Sequence, residues 1–463
     1  MGVGVSGWRL AQAVSRLGQL GVVSGTALDQ VFARRLQDGD PGGHMREGLD
    51  RFPFREMGER VWRAYFIPGG RMPYESYRKM PMHSQHGPRE LRELCIVANF
   101  VEVFLAKQGH ANPVGINYLE KIQLPLPASL YGAMLAGVDY VLMGAGIPLK
   151  VPGALDRLAQ HDPVSYPLQV TGARPDEDTA IHFDPREFEE FSLAPLERPK
   201  FIAIIASNTL ATTMIKKANG RVDGFVVEGP TAGGHNAPPR GKPRFSETGE
   251  PVYGERDRVD LEKLREMEVP FWLAGGFGTP EKVREALTLG AAGVQVGTVF
   301  AFCEESGLAE RYKQAVLEQV ATGHARVFTD AQASPTSFPF KVVQVEGSVS
   351  DREVYASRPR ICDLGYLREA YRTAEGTIGF RCAGEPATIY AAKGGAIENT
   401  DGRKCLCNGL MANVGLAQVR NGNRVENGLI TAGDDLAALR PYLEDGFSYS
   451  ASDVVQRLIE FTA

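Results

Sequence analysis

The chain has 463 residues, 43% of them hydrophobic and 23% charged, with a formal net charge of −5. This is the composition of a folded globular protein, long enough for one large barrel with an appendage or for two or three ordinary domains. The acidic balance argues against a broad nucleic-acid-binding surface, which needs a basic excess. Six Cys in so long a chain exclude a disulfide scaffold and point to a reducing, cytoplasmic setting. The longest apolar run, Ile96–Ala106, is broken by Glu102 and is too short to span a membrane, and no secretory leader is visible.

Taken in chain order, the spacing of apolar residues predicts a helix at Trp8–Leu17 and a strand at Leu20–Val23. A polar, Pro-rich excursion follows from Thr26 to His110, with one helix at Arg89–Lys107. Strands are then expected at Val114–Ile116, Tyr140–Met143, Phe201–Ile205, Gly224–Val227, Phe271–Ala274 and Gly293–Val296. Helices alternate with them at Ala128–Ala136, Thr209–Lys217, Leu261–Glu266 and Pro280–Leu289, and a hairpin is inserted over Tyr166–Asp184. After Asp330 the alternation stops, Gly, Asn and Cys rise, and a last helix is expected at Ser452–Phe461.

Alternating strands and helices predict an α/β protein with a TIM (β/α)₈ barrel over residues 1–330, insertions at 26–110 and 166–184, and a C-terminal extension at 331–463. Only seven strands are counted. Either Met1–Val5 is a truncated first strand, or that strand lies upstream of Met1.

Three segments carry chemistry. In "FWLAGGFGTPEKVREAL" a buried strand ends in Gly275-Gly276, and in "AAGVQVGTVFA" the next ends in Gly297-Thr298. Paired glycines let backbone N–H groups approach an anion, and barrels place phosphate sites in the loops after strands seven and eight. In "DGFVVEGPTAGGHNAPPRG" a strand delivers Glu228, and a glycine loop then carries Gly233, Gly234 and His235 to the barrel mouth. An imidazole there suits proton transfer near neutral pH. A fourth segment, Gly2-x-Gly4-x-x-Gly7 with Asp29 beyond it, spells a dinucleotide fingerprint but lacks the preceding strand, so a glycine-rich loop beside a flat ligand is the preferred reading.

Together, "VEGPTAGGH", "LAGGFGTPEKVREALTLGAAGVQVGT" and "NPVGINYLEK" resemble the 2-nitropropane dioxygenase, or nitronate monooxygenase, family of FMN-dependent TIM barrels, over most of residues 1–330. The resemblance implies that Asn117, Glu228, Gly233 and Gly234 contact the flavin. It also implies that Gly275, Gly276, Gln295, Val296, Gly297 and Thr298 hold its ribityl and phosphate groups, and that His235 is the catalytic base. Glu228 stands where the family usually has Gln, and the excursion and the extension are absent from its shortest members.

The implied activity is FMN-dependent oxidation of alkyl nitronates or nitroalkanes by dioxygen to a carbonyl compound and nitrite. The alternative is an FMN-dependent, NAD(P)H-using enoyl reductase acting on an enoyl thioester, with an acyl-carrier partner received by the basic loop Arg240-Gly-Lys242-Pro-Arg244. A third reading is a flavin-binding barrel without turnover, which the intact Gly-Gly-His loop opposes. Cys362, Cys382, Cys405 and Cys407 could form a tetrahedral zinc site, but the paired C-x₂-C spacing that marks such sites is lacking. Unpaired buried thiols are the ordinary reading, and no metal ligand is assigned.

Overall fold

The computed structural model describes residues 2–444 and 446–460. Met1, the start of the expected Met1–Val5 strand, and Phe461, the expected end of the last helix, lie outside the described residues. Seven strands form one parallel sheet: β1 Gly21–Ser24, β2 Val114–Leu119, β3 Tyr140–Gly144, β4 Lys200–Ile205, β5 Gly224–Glu228, β6 Phe271–Ala274 and β7 Gly293–Gln295. They lie side by side in chain order, with registers such as Ile116 opposite Val141, Ile202 opposite Gly224 and Val227 opposite Leu273.

Each strand is a short apolar run because both faces are covered. Val141, Phe201, Phe225 and Leu273 point outward into the main core, where the helices between the strands pack. Their neighbours Leu142, Ile202, Val226 and Ala274 point the other way and form a small inner cluster. Alternation with a period of two thus separates an outer shell from the inside of a curled sheet. Each fully buried Phe or Leu of the outer face contributes roughly 1.5–3 kcal/mol.

The curl does not close. The sheet order ends at β1 and β7, which do not pair, and Gly2–Val5 form a turn rather than a strand. Gly4 sits at φ +62°, a left-handed conformation incompatible with a strand, and Val5 N–H donates back to Gly2 O at 3.3 Å. Among the described residues the parallel strands number seven, as counted from the sequence, and Gly2–Val5 do not supply an eighth.

The excursion is more ordered than its composition implies. Besides Arg89–Lys107, which forms as expected, helices cover Leu28–Gln37, His44–Leu49 and Arg55–Tyr65. Leu28, Phe32, Leu36, Met57 and Val61 recur at helical spacing and join the core around the buried helix Arg89–Lys107.

The expected hairpin pairs Val164–Tyr166 with Ile181–Phe183, while Val170–Thr171 turns away to pair with the strand Glu369–Arg372. Residues beyond 331 wrap the sheet. Val343, Ile430, Leu436, Tyr449 and Val454 share one core with Val14, Val299 and Val316. The last described helix is Ala451–Ile459.

Candidate active site

The C-terminal ends of the strands carry the chemistry-bearing residues. Asn117 lies within β2 and donates to Leu142 O at 3.4 Å, Glu228 ends β5, and Gln295 ends β7. Gly233, Gly234 and His235 follow β5, Gly275 and Gly276 follow β6, and Val296, Gly297 and Thr298 follow β7. All eleven line one cavity of about 650 Å³, which runs from the sheet's mouth into its interior beside the β1 and β7 edges. Among the described residues, no Lys or Arg lines it.

The glycines are required by geometry. Gly275 and Gly276 hold φ +92° and +77°, and a Cβ on Gly275 would stand 2.9 Å from Thr231 Oγ1 and 3.0 Å from Ala232 N. Gly297 differs: a Cβ there would meet no atom within 4 Å, so its backbone faces open cavity.

The extension positions the His235 loop. Gly234 N–H donates to Thr431 Oγ1 at 2.9 Å, and Gly234 O accepts from Lys341 N–H at 2.9 Å. His235 Nε2 lies 2.7 Å from Ser334 Oγ, and the ring packs edge-on against Phe340 at 4.9 Å between centroids. Where Nε2–H donates to Ser334, Nδ1 keeps the lone pair that can accept a proton.

Enclosure sets the charge states. Burial pushes the His235 imidazole down to about 3, with the Lys121 cation acting in the same direction, so the ring is neutral at pH 7. Burial pushes the Glu228 carboxyl up to about 7, so both of its forms are populated near neutrality. Asp435 also lines the cavity and is raised by burial, a shift that the Thr298 hydroxyl partly offsets. Thr298 Oγ1 accepts from Gly433 N–H at 3.0 Å.

Sequence reasoning missed Ser334, Phe340, Thr431 and Asp435, all from the extension. The only local sign was the turn-like run "TAGDD" at 431–435. The basic loop stands apart: Arg240, Lys242 and Arg244 do not line the cavity, and Arg240 Nη2 donates instead to Ala206 O at 2.9 Å. Asp29 is elsewhere as well, bonded to His83 Nε2 at 2.9 Å and to the Tyr366 hydroxyl.

Residues 179–331, which include β4 to β7 and the glycine loops that follow β5, β6 and β7, match the family model described as nitronate monooxygenase. A stretch of 128 residues is 30% identical to a probable nitronate monooxygenase of Staphylococcus saprophyticus, covering 27% of this chain and 34% of the relative. A stretch of 112 residues is 35% identical to a probable nitronate monooxygenase of Bacillus subtilis, covering 24% of this chain and 30% of the relative. The chain thus spans about a third of the length of the curated relatives it matches.

Among solved structures, nitroalkane oxidase from Streptomyces ansochromogenes aligns over 99% of this chain and 93% of that one, at 14% identity and a TM-score of 0.47. FabK from Thermotoga maritima aligns over 99% and 89%, at 16% identity and a TM-score of 0.48. No helix among the described residues is long and apolar enough to cross a membrane.

Proposed function

We propose that the protein is a cytoplasmic FMN-dependent oxidoreductase that oxidises alkyl nitronates with dioxygen to a carbonyl compound and nitrite. The observation that carries this reading is convergence. Ten residues expected to hold a flavin and His235, the expected base, spread from Asn117 to Thr298, line one cavity, and most of them fall in the segment 179–331 that matches the nitronate monooxygenase family model.

The cavity fits a flavin mononucleotide in two respects. It has ligand-sized volume, and its glycine turns bring bare backbone to the surface, Gly297 with open space where a side chain would stand. Gly275, Gly276, Gln295, Val296, Gly297 and Thr298 would hold the ribityl and phosphate groups, and Asn117, Glu228, Gly233 and Gly234 the ring system. With no Lys or Arg in the lining, the phosphate would rest on backbone N–H groups and the Thr298 hydroxyl. Asp435, raised by burial, lies beside the Thr298 end of the site, where its charge would oppose the phosphate. Bound flavin supplies reversible two-electron redox chemistry.

The chain's own groups then sort the substrate. A neutral His235 near pKa 3 is a weak base, poorly matched to removing a proton from carbon. A nitronate arrives already deprotonated and spares that step. Protonated Glu228 can donate a hydrogen bond that a nitronate oxygen accepts, which offsets part of the cost of burying the anion. Neutral nitroalkanes are the slower substrates, and for them His235 is the base.

One observation favours a second reading, the NAD(P)H-using enoyl reductase. Leu364, Leu406, Leu410 and Met411 of the extension add an apolar wall suited to an acyl chain. The test is anaerobic mixing of the flavin-loaded protein with each donor. Bleaching by alkyl nitronates supports the proposal, and bleaching by NADPH alone overturns it in favour of the reductase.

A further inference from the structure

Three buried side chains outside the cavity converge on one point. Asp29 Oδ2 lies 2.9 Å from His83 Nε2, Cys95 Sγ lies 4.0 Å from the same nitrogen, and the three atoms all fall within 4.8 Å of one another. They come from separate stretches of chain. Asp29 belongs to the first turn of the helix Leu28–Gln37, Cys95 to the helix Arg89–Lys107, and His83 to the segment 66–88, which forms neither helix nor strand. Each is at most 8% exposed. Among the described residues no other group of three or more His, Cys, Asp or Glu side chains meets at this spacing, and the four cysteines of the extension, which line a hollow of about 10 Å³, do not.

Two features set this trio apart from polar groups that only satisfy one another. The first is how each member is held from behind. Asp29 Oδ1 accepts from the Tyr366 hydroxyl, the Ser129 hydroxyl bonds to Cys95 Sγ, and the His83 carbonyl accepts from Arg368 Nη2. Such outer contacts fix a carboxylate, a sulfur and an imidazole while Oδ2, Sγ and Nε2 stay turned towards one another. The second is the sulfur itself. One hydrogen bond already satisfies the Asp29–His83 pair, and a thiol 4.0 Å away adds little to it, being a weak donor and a weak acceptor. Around a tetrahedral ion with bonds of about 2.0–2.3 Å, ligand atoms lie roughly 3.3–3.8 Å apart, so movements of about 1 Å bring all three into place.

We propose that Asp29, His83 and Cys95 bind a divalent transition metal of the zinc type. A mixed oxygen, nitrogen and sulfur set suits such borderline ions and excludes Mg²⁺ and Ca²⁺, which take oxygen ligands. One carboxylate and one thiolate balance the double charge of the ion, so the loaded centre can be buried without an uncompensated charge. Binding breaks the Cys95 S–H bond, releases that proton to solvent and forms a metal–sulfur bond, while His83 offers its Nε2 lone pair with the proton on Nδ1. No atom changes oxidation state. Three protein ligands leave one tetrahedral position for a solvent molecule. Because Tyr366 lines the cavity described above, the ion would pin the two helices, the segment 66–88 and the extension together behind the cavity wall. Metal binding here does not depend on the activity proposed for the cavity.

The test is zinc analysis of the full chain, purified without a polyhistidine tag or chelator and dialysed against metal-free buffer. About one zinc per chain supports the proposal. Cys95→Ser and His83→Gln should each lose it, whereas Cys303→Ser, a buried thiol outside the cluster, should keep it. Tyr366→Phe removes the hydrogen bond to Asp29 Oδ1 and should weaken zinc by about 10–100-fold in competition with a chelator. Should the ligand variants fail to fold, Co²⁺ loading of the flavin-free wild type decides: a thiolate-to-metal absorption that Zn²⁺ displaces supports the site, and its absence overturns it. A chain without zinc both as purified and after incubation with Zn²⁺ holds a hydrogen-bonded cluster only and overturns the proposal. So does zinc that the folded ligand variants retain.

Discussion

Replacing Glu228 with Gln tests the electrostatics of the cavity without changing its shape. The carboxyl is pushed from 4.5 to about 7 by burial, so the native state holds a proton that the unfolded chain has lost over that interval. A raised carboxyl contributes fully to stability below pH 4.5 and loses that contribution as pH rises through about 7. At about 1.4 kcal/mol per pH unit, the ionised carboxylate costs roughly 3 kcal/mol above neutrality. Gln pays no such cost. The gap in stability between Glu228→Gln and the wild type should therefore be smallest near pH 4.5 and widen in the variant's favour by roughly 3 kcal/mol towards pH 8. His235 has the opposite sign: its depressed imidazole costs stability as pH falls from 6.5 towards about 3, equally in both proteins, so it cancels in the difference. Urea unfolding of the flavin-free proteins across this range, with the slope held constant, measures the gap. A gap that stays flat within about 0.5 kcal/mol from pH 4.5 to 8 refutes the buried, protonated Glu228.

Gly297→Ala adds a methyl group to open space at an ordinary φ of −125°, so the melting temperature should hold while flavin affinity drops about tenfold or more; unchanged affinity in a flavin titration removes Gly297 from the cofactor site. His235→Ala should keep the flavin yet slow neutral nitroalkanes by about 10²–10⁴ and alkyl nitronates far less; equal losses in steady-state kinetics would contradict its role as a base. Ser334→Ala removes the hydroxyl that orients His235 Nε2, and should lower kcat on nitroalkanes with little change in KM, with Ser334→Thr restoring part of it. The wild type should bind flavin less tightly as pH rises and the Asp435 carboxyl ionises near Thr298, and Asp435→Asn should abolish that dependence; parallel pH curves would place Asp435 away from the phosphate.

The strands and the site residues on them were readable because each is a local signal. Runs such as "FIAII" and "FWLA" alternate outward and inward over a few residues, and Gly275-Gly276 announces a turn that only glycine can make without a clash. The helices at Leu28–Gln37 and Arg55–Tyr65 were hidden by the prolines and charges between them, although their apolar spacing was present. A strand at the start of the chain was ruled out for a local reason too, since Gly4 turns the backbone where a strand would need it extended. Ser334 and Thr431 could not be found, because nothing near them in sequence records that they fold back onto residues about 99 and 197 positions away.

By itself, then, the sequence determined where the parallel strands lie and which turns bare their backbone, because periodicity and glycine act over a few residues. Tertiary structure alone decided that β1 and β7 do not pair among the described residues, that the extension roofs the cavity, that Glu228 titrates near neutrality and that four thiols line one hollow. Those outcomes depend on which distant groups exclude water from one another, and no short stretch of chain carries that information.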